Sequence, residues 1–148
     1  MNDYLLEENL VILKDWTEED TKAVCDGLIK YNRKSSRPLD EQWSEIINLI
    51  LKTKDNKVVG GIMCNMFMYS LYIDVLWIDE KYRGHDYGSK LIAEAEKIAK
   101  EKGCILADTL TFSYQAPDFY VKCGYEIYGI LDGYPEGIKK YLLKKVLK

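Results

Sequence analysis

Residues 71–103 read LYIDVLWIDEKYRGHDYGSKLIAEAEKIAKEKG, and a change of period inside this stretch decides the fold. Leu71, Ile73, Val75 and Trp77 alternate with Tyr72, Asp74, Leu76 and Ile78, the period of two of a strand that presents two different faces. From Tyr87 onward Leu91, Ile92, Ala95, Ile98 and Ala99 fall on one apolar stripe of a helix, with Lys90, Glu94, Lys97 and Glu101 mostly on the other side. Gly103 supplies the stop. Between strand and helix lies the loop Arg83-Gly84-His85-Asp86-Tyr87-Gly88. The first N–H groups of a helix have no intrahelical partner and its dipole favours an anion there, while Arg83 adds a fixed positive charge. The unit therefore reads as a cradle for a phosphate or pyrophosphate.

Two common phosphate loops fail on spacing. A P-loop requires G-x-x-x-x-G-K-[ST], whereas Gly84 and Gly88 are one residue too close and Ser89 precedes Lys90; the dinucleotide pattern G-x-G-x-x-G is absent. The loop instead resembles the [QR]-x-x-G-x-[GA] signature of the GCN5-related N-acetyltransferase (GNAT) family, running from Arg83 to Gly88 with Asp86 at the middle glycine. This departure sets a carboxylate beside the expected pyrophosphate, although Asp tolerates unusual backbone angles better than most residues. A second stretch, Ala116-Pro117-Asp118-Phe119-Tyr120-Val121-Lys122-Cys123-Gly124-Tyr125, resembles the family's later motif A-x-x-F-Y-x-x-x-G-[FY]. Read from its own residues it is a short helix, with Pro117 suited to its start and Gly124 to the residue past its end. Both motifs occur in the family's order, and the resemblance covers about residues 57–125.

The rest of the chain is consistent with one domain over residues 1–148, long enough for a single substantial core. A formal net charge of −3 argues against a general nucleic-acid binder and mildly favours cationic small partners. Cys25, Cys64, Cys104 and Cys123 form no C-x-x-C and have only His85 for company, so a metal site is not expected and the cysteines read as core packing. The polar, acidic start MNDYLLEEN and the lack of a long apolar run predict neither a secretory signal nor a membrane span, and the expected location is the cytoplasm.

In chain order, Leu10–Leu13 reads as a short strand and Thr17 as the N-cap of a helix that buries Ala23, Val24, Leu28 and Ile29 and fails near Asn32–Pro38. Ile46–Lys52 and Lys57–Met66 read as strands joined at Lys54-Asp55-Asn56, with a helix over Glu41–Leu51 as the alternative. Gly60-Gly61 suggests a bulge or a close backbone approach. Cys104–Thr111 is a further strand, and Tyr125–Leu131 with Ile138–Val146 a closing hairpin. The cluster Lys139, Lys140, Lys144 and Lys145 reads as a solvated strand edge.

The resemblance implies a mixed α/β fold, a mostly antiparallel central sheet flanked by helices, and acetyl-CoA as co-substrate with no metal. It implies that the backbone of Leu76, Trp77 and Ile78 binds the pantetheine arm and polarises the thioester, with Ile78 foremost. The pyrophosphate would lie on Arg83, Gly84, His85, Asp86, Tyr87, Gly88 and Ser89. Tyr120 is the implied general acid, and Gln115 stands where many members carry a cofactor-contacting asparagine. Direct transfer to an amine needs an uncharged nitrogen near the carbonyl, oxyanion stabilisation and a proton for the departing thiolate. Asp74 is the first candidate base, on the expectation that it shares a face with Leu76 and Ile78; Glu80 is the second, and Tyr31, Asn32 and Arg33 are candidate acceptor contacts. The expected activity is acetylation of a primary amine of a small molecule, with antibiotic or metabolite detoxification as the family analogy. Protein or peptide acetylation and a non-catalytic acyl-CoA sensor are the alternatives, and a homodimer is compatible with the aromatic hairpins.

Overall fold

The computed structural model describes residues 4–5 (backbone only), 10–35 and 44–148, in two compact units, 1–41 and 42–148. In the first, β1 (Tyr4–Leu5) pairs antiparallel with β2 (Val11–Ile12), and α1 spans Glu18–Ser35. The start of α1 is closed by its own residues. The Asp20 N–H donates to Thr17 Oγ1 at 3.1 Å while the Thr17 N–H donates to Asp20 Oδ2 at 2.8 Å, a reciprocal capping box. Glu18, Glu19 and Asp20 put three acids on the positive end of the dipole. Within this unit α1 buries none of its residues, so the core role expected for Ala23, Val24, Leu28 and Ile29 is not found there. Asn32 and Arg33 lie in its last turns, and residues 36–38 fall outside the described residues.

The second unit holds a six-stranded sheet of β3 (Ser44–Lys52), β4 (Val58–Phe67), β5 (Ser70–Ile78), β6 (Leu106–Phe112), β7 (Glu126–Leu131) and β8 (Lys140–Val146). Their order is β3-β4-β5-β6-β8-β7, and only β5 and β6 run parallel. The parallel step needs a crossover, which α2 (Tyr87–Glu101) provides; α3 (Pro117–Lys122) follows β6. Residues 44–51 are strand rather than helix, because Ile47, Leu49 and Leu51 alternate towards the core and Ile46 and Ile50 away from it. The predicted close approach at Gly60-Gly61 is present. A Cβ at Gly60 would stand 2.8 Å from Ile78 Cδ1 and 2.9 Å from the Trp77 carbonyl oxygen, and one at Gly61 2.9 Å from that of Leu49.

One core lies between the sheet and its helices. Ile47, Ile62, Met66, Leu71, Ile73 and Leu143 from the strands meet Ile92, Ala95 and Ala99 of α2 and Tyr120 of α3. The apolar stripe read from α2 is thus the packed face, but it also contains the buried Glu96. The basic C-terminal cluster is not a sheet edge: β8 is internal, between β6 and β7, and Lys145 on its inner face pairs with Glu96 at 2.8 Å. Among the described residues no helix is long and apolar enough to cross a membrane.

Candidate active site

The site is built where β5 and β6 separate. They pair from Ser70↔Leu106 to Ile73↔Thr109, after which β5 continues to Ile78 and β6 to Phe112 without meeting. The cause lies on the other edge of β5. Ile73 pairs with Cys64 and Val75 with Met63, which leaves Asp74 as the extra residue of a bulge. A bulge bends its strand and increases its twist, so the strand turns away from β6 beyond this point. Thr109, only 3% exposed, closes the last shared step by donating its hydroxyl to the Ile73 carbonyl at 2.9 Å.

This bulge corrects one sequence expectation. Across it the inward side of β5 passes from Leu71 and Ile73 to Leu76 and Ile78, with Leu76 packed on the core, so exposed Asp74 does not share their face. Period-two reasoning carries a strand's faces forward unchanged and cannot count an inserted residue.

Hydrogen bonds at the end of β5 show which backbone groups face the gap. The Asp79 N–H donates to the Val59 carbonyl at 2.8 Å, so Asp79 faces β4, while the Ile78 carbonyl points the other way and accepts from Arg83 Nε at 2.9 Å. By the strand period Leu76 presents its N–H and carbonyl to that same open edge. Of the three strand residues predicted to hold a ligand arm, Leu76 and Ile78 therefore face the opening. Trp77 pairs towards β4 opposite Gly61 and its side chain is 47% exposed.

Beyond β5 a short 3-10 turn, Glu80–Tyr82, leads into the loop, with exposed Glu80 at its start. Gly84 has φ +81° and Asp86 has φ +61°, ψ +17°, so Asp86 adopts the left-handed conformation in which the family pattern has glycine. The Asp86 carbonyl accepts from the Lys90 N–H at 3.0 Å and the Ser89 hydroxyl at 2.9 Å, but its carboxylate makes no capping hydrogen bond. The N–H groups of Tyr87, Gly88 and Ser89 precede that first helical bond, and no acid stands in the first turn of α2. The contrast with α1, which fills its own start with a capping box and three acids, marks the α2 start as open to an external anion. His85 is exposed, its ring 5.9 Å from that of Tyr87, and Lys90 Nζ lies 5.6 Å from the Tyr87 ring centroid.

Gly88 owes its identity to packing rather than to backbone angle. A Cβ there would stand 3.0 Å from Phe119 Cζ, so the glycine lets α3 press against the start of α2. The two motifs, far apart in sequence, meet at this contact. The next residue, Tyr120, is 8% exposed and stacks edge-on between Phe119 and Tyr125, with ring centroids 5.4 and 5.9 Å away. Burial raises its pKa above the usual phenol value, and its neighbour Thr109 moderates the rise. Tyr120 thus stands beside Thr109, the residue that closes the β5–β6 ladder. Tyr72, on the outer face of β5, is also raised, by partial burial first and then by Asp74, Asp108 and Tyr128. Cys64 lies beneath, its thiol pushed up to about 12 by burial and then by Asp74.

Gln115 has a local structural role. Its side-chain oxygen accepts the Phe112 N–H at 2.8 Å and the Thr111 hydroxyl at 3.2 Å, which holds the turn before α3. Sequence reasoning missed Thr109, Glu96 and Lys145. Thr109 offered no signal, being one of two threonines in the strand-like run DTLTF, while Glu96 and Lys145 were visible as charges on otherwise apolar faces.

Comparison with known proteins agrees with this geometry. The model of the Acetyltransferase (GNAT) family matches residues 11–125. A blasticidin-S acetyltransferase of Streptomyces morookaense is 40% identical over 92 residues, 62% of this chain and 68% of that protein. A crystal structure of an acetyltransferase from Bacillus cereus superposes with a TM-score of 0.85 at 38% identity, covering 92% of this chain and 97% of that one. A Bacillus anthracis protein solved in complex with acetyl coenzyme A has a TM-score of 0.62 at 26% identity, over 70% of this chain and 63% of that one. With a family match over most of its length, laid on a splayed sheet and an open helix start, the chain belongs to the GNAT family of acetyltransferases.

Proposed function

We propose that the chain transfers an acetyl group from acetyl-CoA directly to a primary amine of a small molecule, with an amine-bearing antibiotic as the acceptor class. The observation that carries this reading is that Tyr120 reaches the point where β5 leaves β6, on the helix that packs against the open start of α2. The family match runs across both compact units, which supports one functional domain over residues 1–148.

The N–H groups of Tyr87, Gly88 and Ser89 would hold the phosphates, with Gly84 and His85 in the loop before them. Arg83 braces that loop on the Ile78 carbonyl and keeps its other guanidinium N–H groups for the anion. The backbone of Leu76, on the open edge, would bind the amide-bearing arm as an added strand does. Acetyl-CoA, when bound, supplies an activated acyl thioester. Tyr120 remains a protonated donor through neutral pH because burial raises its pKa, and it delivers a proton to the departing sulfur. Asp74, at the bulge beside the opening, receives the proton of the incoming amine directly or through water. The blasticidin-S acetyltransferase relative makes blasticidin S the first acceptor to test.

The test is release of free thiol from acetyl-CoA in the presence of blasticidin S and a panel of primary amines and peptides. Tyr120→Phe should lower turnover by about a hundredfold or more, as expected for loss of a general acid, while leaving CoA affinity intact. Full turnover in Tyr120→Phe would rule out this acid. CoA binding with no amine acetylated would favour the sensor reading, and turnover of peptides alone would move the acceptor class.

A further inference from the structure

The Glu96–Lys145 pair lies outside the machinery described so far. Glu96 interrupts the apolar face of α2 and Lys145 the inward face of β8, between Leu143 and Leu147. The Lys145 ammonium donates to Glu96 Oε1 at 2.9 Å and Oε2 at 2.8 Å, and to the Cys123 carbonyl at 2.9 Å. The Tyr125 hydroxyl donates to Glu96 Oε1 at 3.3 Å, and Lys145 Nζ lies 5.6 Å from the Tyr125 ring centroid. The pair of buried Glu96 and half-buried Lys145 thus ties α2 and β8 to the end of α3 and to Tyr125 beyond it.

Cys123 is the C-cap of α3, and its N–H bonds back to the carbonyls of Phe119 and Tyr120 at 3.1 and 3.0 Å. A helix of six residues has no stability of its own and takes its position from what holds its ends. Lys145 holds the C-terminal end, where a cation also complements the exposed carbonyls. Gly124 makes this reach feasible. It adopts φ +93°, and a Cβ there would stand 3.3 Å from Lys145 Cε. An apolar pair at positions 96 and 145 could join α2 to β8 at least as firmly, but it could not bond the Cys123 carbonyl.

We propose that the Glu96–Lys145 pair positions Tyr120, fixing the end of α3 so that the phenol stays at the β5–β6 opening while Phe119 stays seated on Gly88. This rests on the reading of Tyr120 as general acid. Lys145 and Glu96 touch neither substrate nor reacting atoms, so both are positioning residues.

The experiment compares Lys145→Arg, Lys145→Gln and the apolar pair Glu96→Leu/Lys145→Met, each alone and combined with Tyr120→Phe. Turnover of the acceptor found in the thiol-release screen is followed alongside thermal unfolding. The apolar pair should fold with near-native stability yet lose about 10- to 100-fold in kcat, the scale of a misplaced catalytic group, with KM for acetyl-CoA changed less than about threefold. Lys145→Arg should restore most of the rate. In the Tyr120→Phe background the same changes should lower kcat no further, because the group they position is gone. A substrate-free arm reads the Cζ resonance of Tyr120 in labelled protein with CoA alone, which should shift in Lys145→Gln and stay native in Lys145→Arg. Native kcat in the apolar pair, a loss that multiplies with Tyr120→Phe, or an unmoved resonance in Lys145→Gln would overturn the inference while Tyr120 keeps its role. Full turnover in Tyr120→Phe would overturn the general-acid reading and the inference with it.

Discussion

Replacing Asp86 with glycine, which restores the family signature at the one position where this loop departs from it, should tighten CoA binding. Asp86 is the N-cap of α2, directly before the N–H groups of Tyr87, Gly88 and Ser89, and its carboxylate makes no capping bond. A pyrophosphate charge on those groups would lie roughly 6 Å from it, where two unit charges repel by about 0.7 kcal/mol in water and about 1.4 at an effective dielectric of 40. Summed over two phosphate charges and discounted for exposure, removal should improve affinity by about 1–2 kcal/mol, or roughly 5- to 30-fold. Stability should move less. Glycine relieves the left-handed backbone at φ +61° but frees the unfolded chain, and the helix loses an N-terminal charge valued at about 0.3–1 kcal/mol. Asp86→Asn separates the two effects, since Asn tolerates the same backbone and carries no charge. The assay is calorimetric titration with CoA and with pantetheine, which lacks the phosphates, at about 0.05 M and 1 M salt, where screening lengths fall from above 10 Å to about 3 Å. Both variants should gain affinity for CoA at low salt, gain less at high salt, and leave pantetheine unchanged. Equal CoA affinity in all three proteins would refute phosphate binding at this helix start.

Gly88→Ala should push Phe119 away from the start of α2, because its Cβ would stand 3.0 Å from the ring; a loss of about 1–3 kcal/mol in denaturant unfolding is expected, with a fall in kcat. Thr109→Val leaves the Ile73 carbonyl without its 2.9 Å partner and should lower stability by about 1–3 kcal/mol. Among the thiols, exposed Cys25 should react rapidly with a disulfide reagent at pH 8, while buried Cys64 and Cys104 should react only on unfolding. Because the Cys64 pKa is raised in the folded state, from 9.0 to about 12, its contribution to stability is intact below pH 9 and is lost as pH rises towards 12; Cys64→Ala should flatten alkaline unfolding over that window.

Much of the architecture was legible because local rules governed it. The period change between residues 71–78 and 91–99 gave β5 and α2 their types, and Pro117 and Gly124 bounded α3 within a residue. The reading of residues 83–89 as an anion cradle followed from a helix start beside an arginine, and Asp86 proved able to take the glycine conformation. Other features depended on pairing. The position of β8 inside the sheet, which turned Lys145 from a solvated edge charge into a half-buried one paired with Glu96, is set by which strands meet and not by the pattern along β8. Asp74 is the clearest case, since a strand pattern is the same with or without an unmatched residue, and only the register against β4 reveals one.

The sequence by itself determined the strand–loop–helix cradle, the short aromatic helix and the family, because these rest on residue types at fixed spacing and on the backbone needs of a few positions. Tertiary structure alone decided that the two motifs touch through Gly88 and Phe119, that Thr109 closes the ladder at Tyr120, and that Glu96 and Lys145 find each other across 49 residues. Those contacts arise from the crossover of α2 and the bulge at Asp74, which bring distant residues to the same few ångströms and leave no periodic trace in the chain.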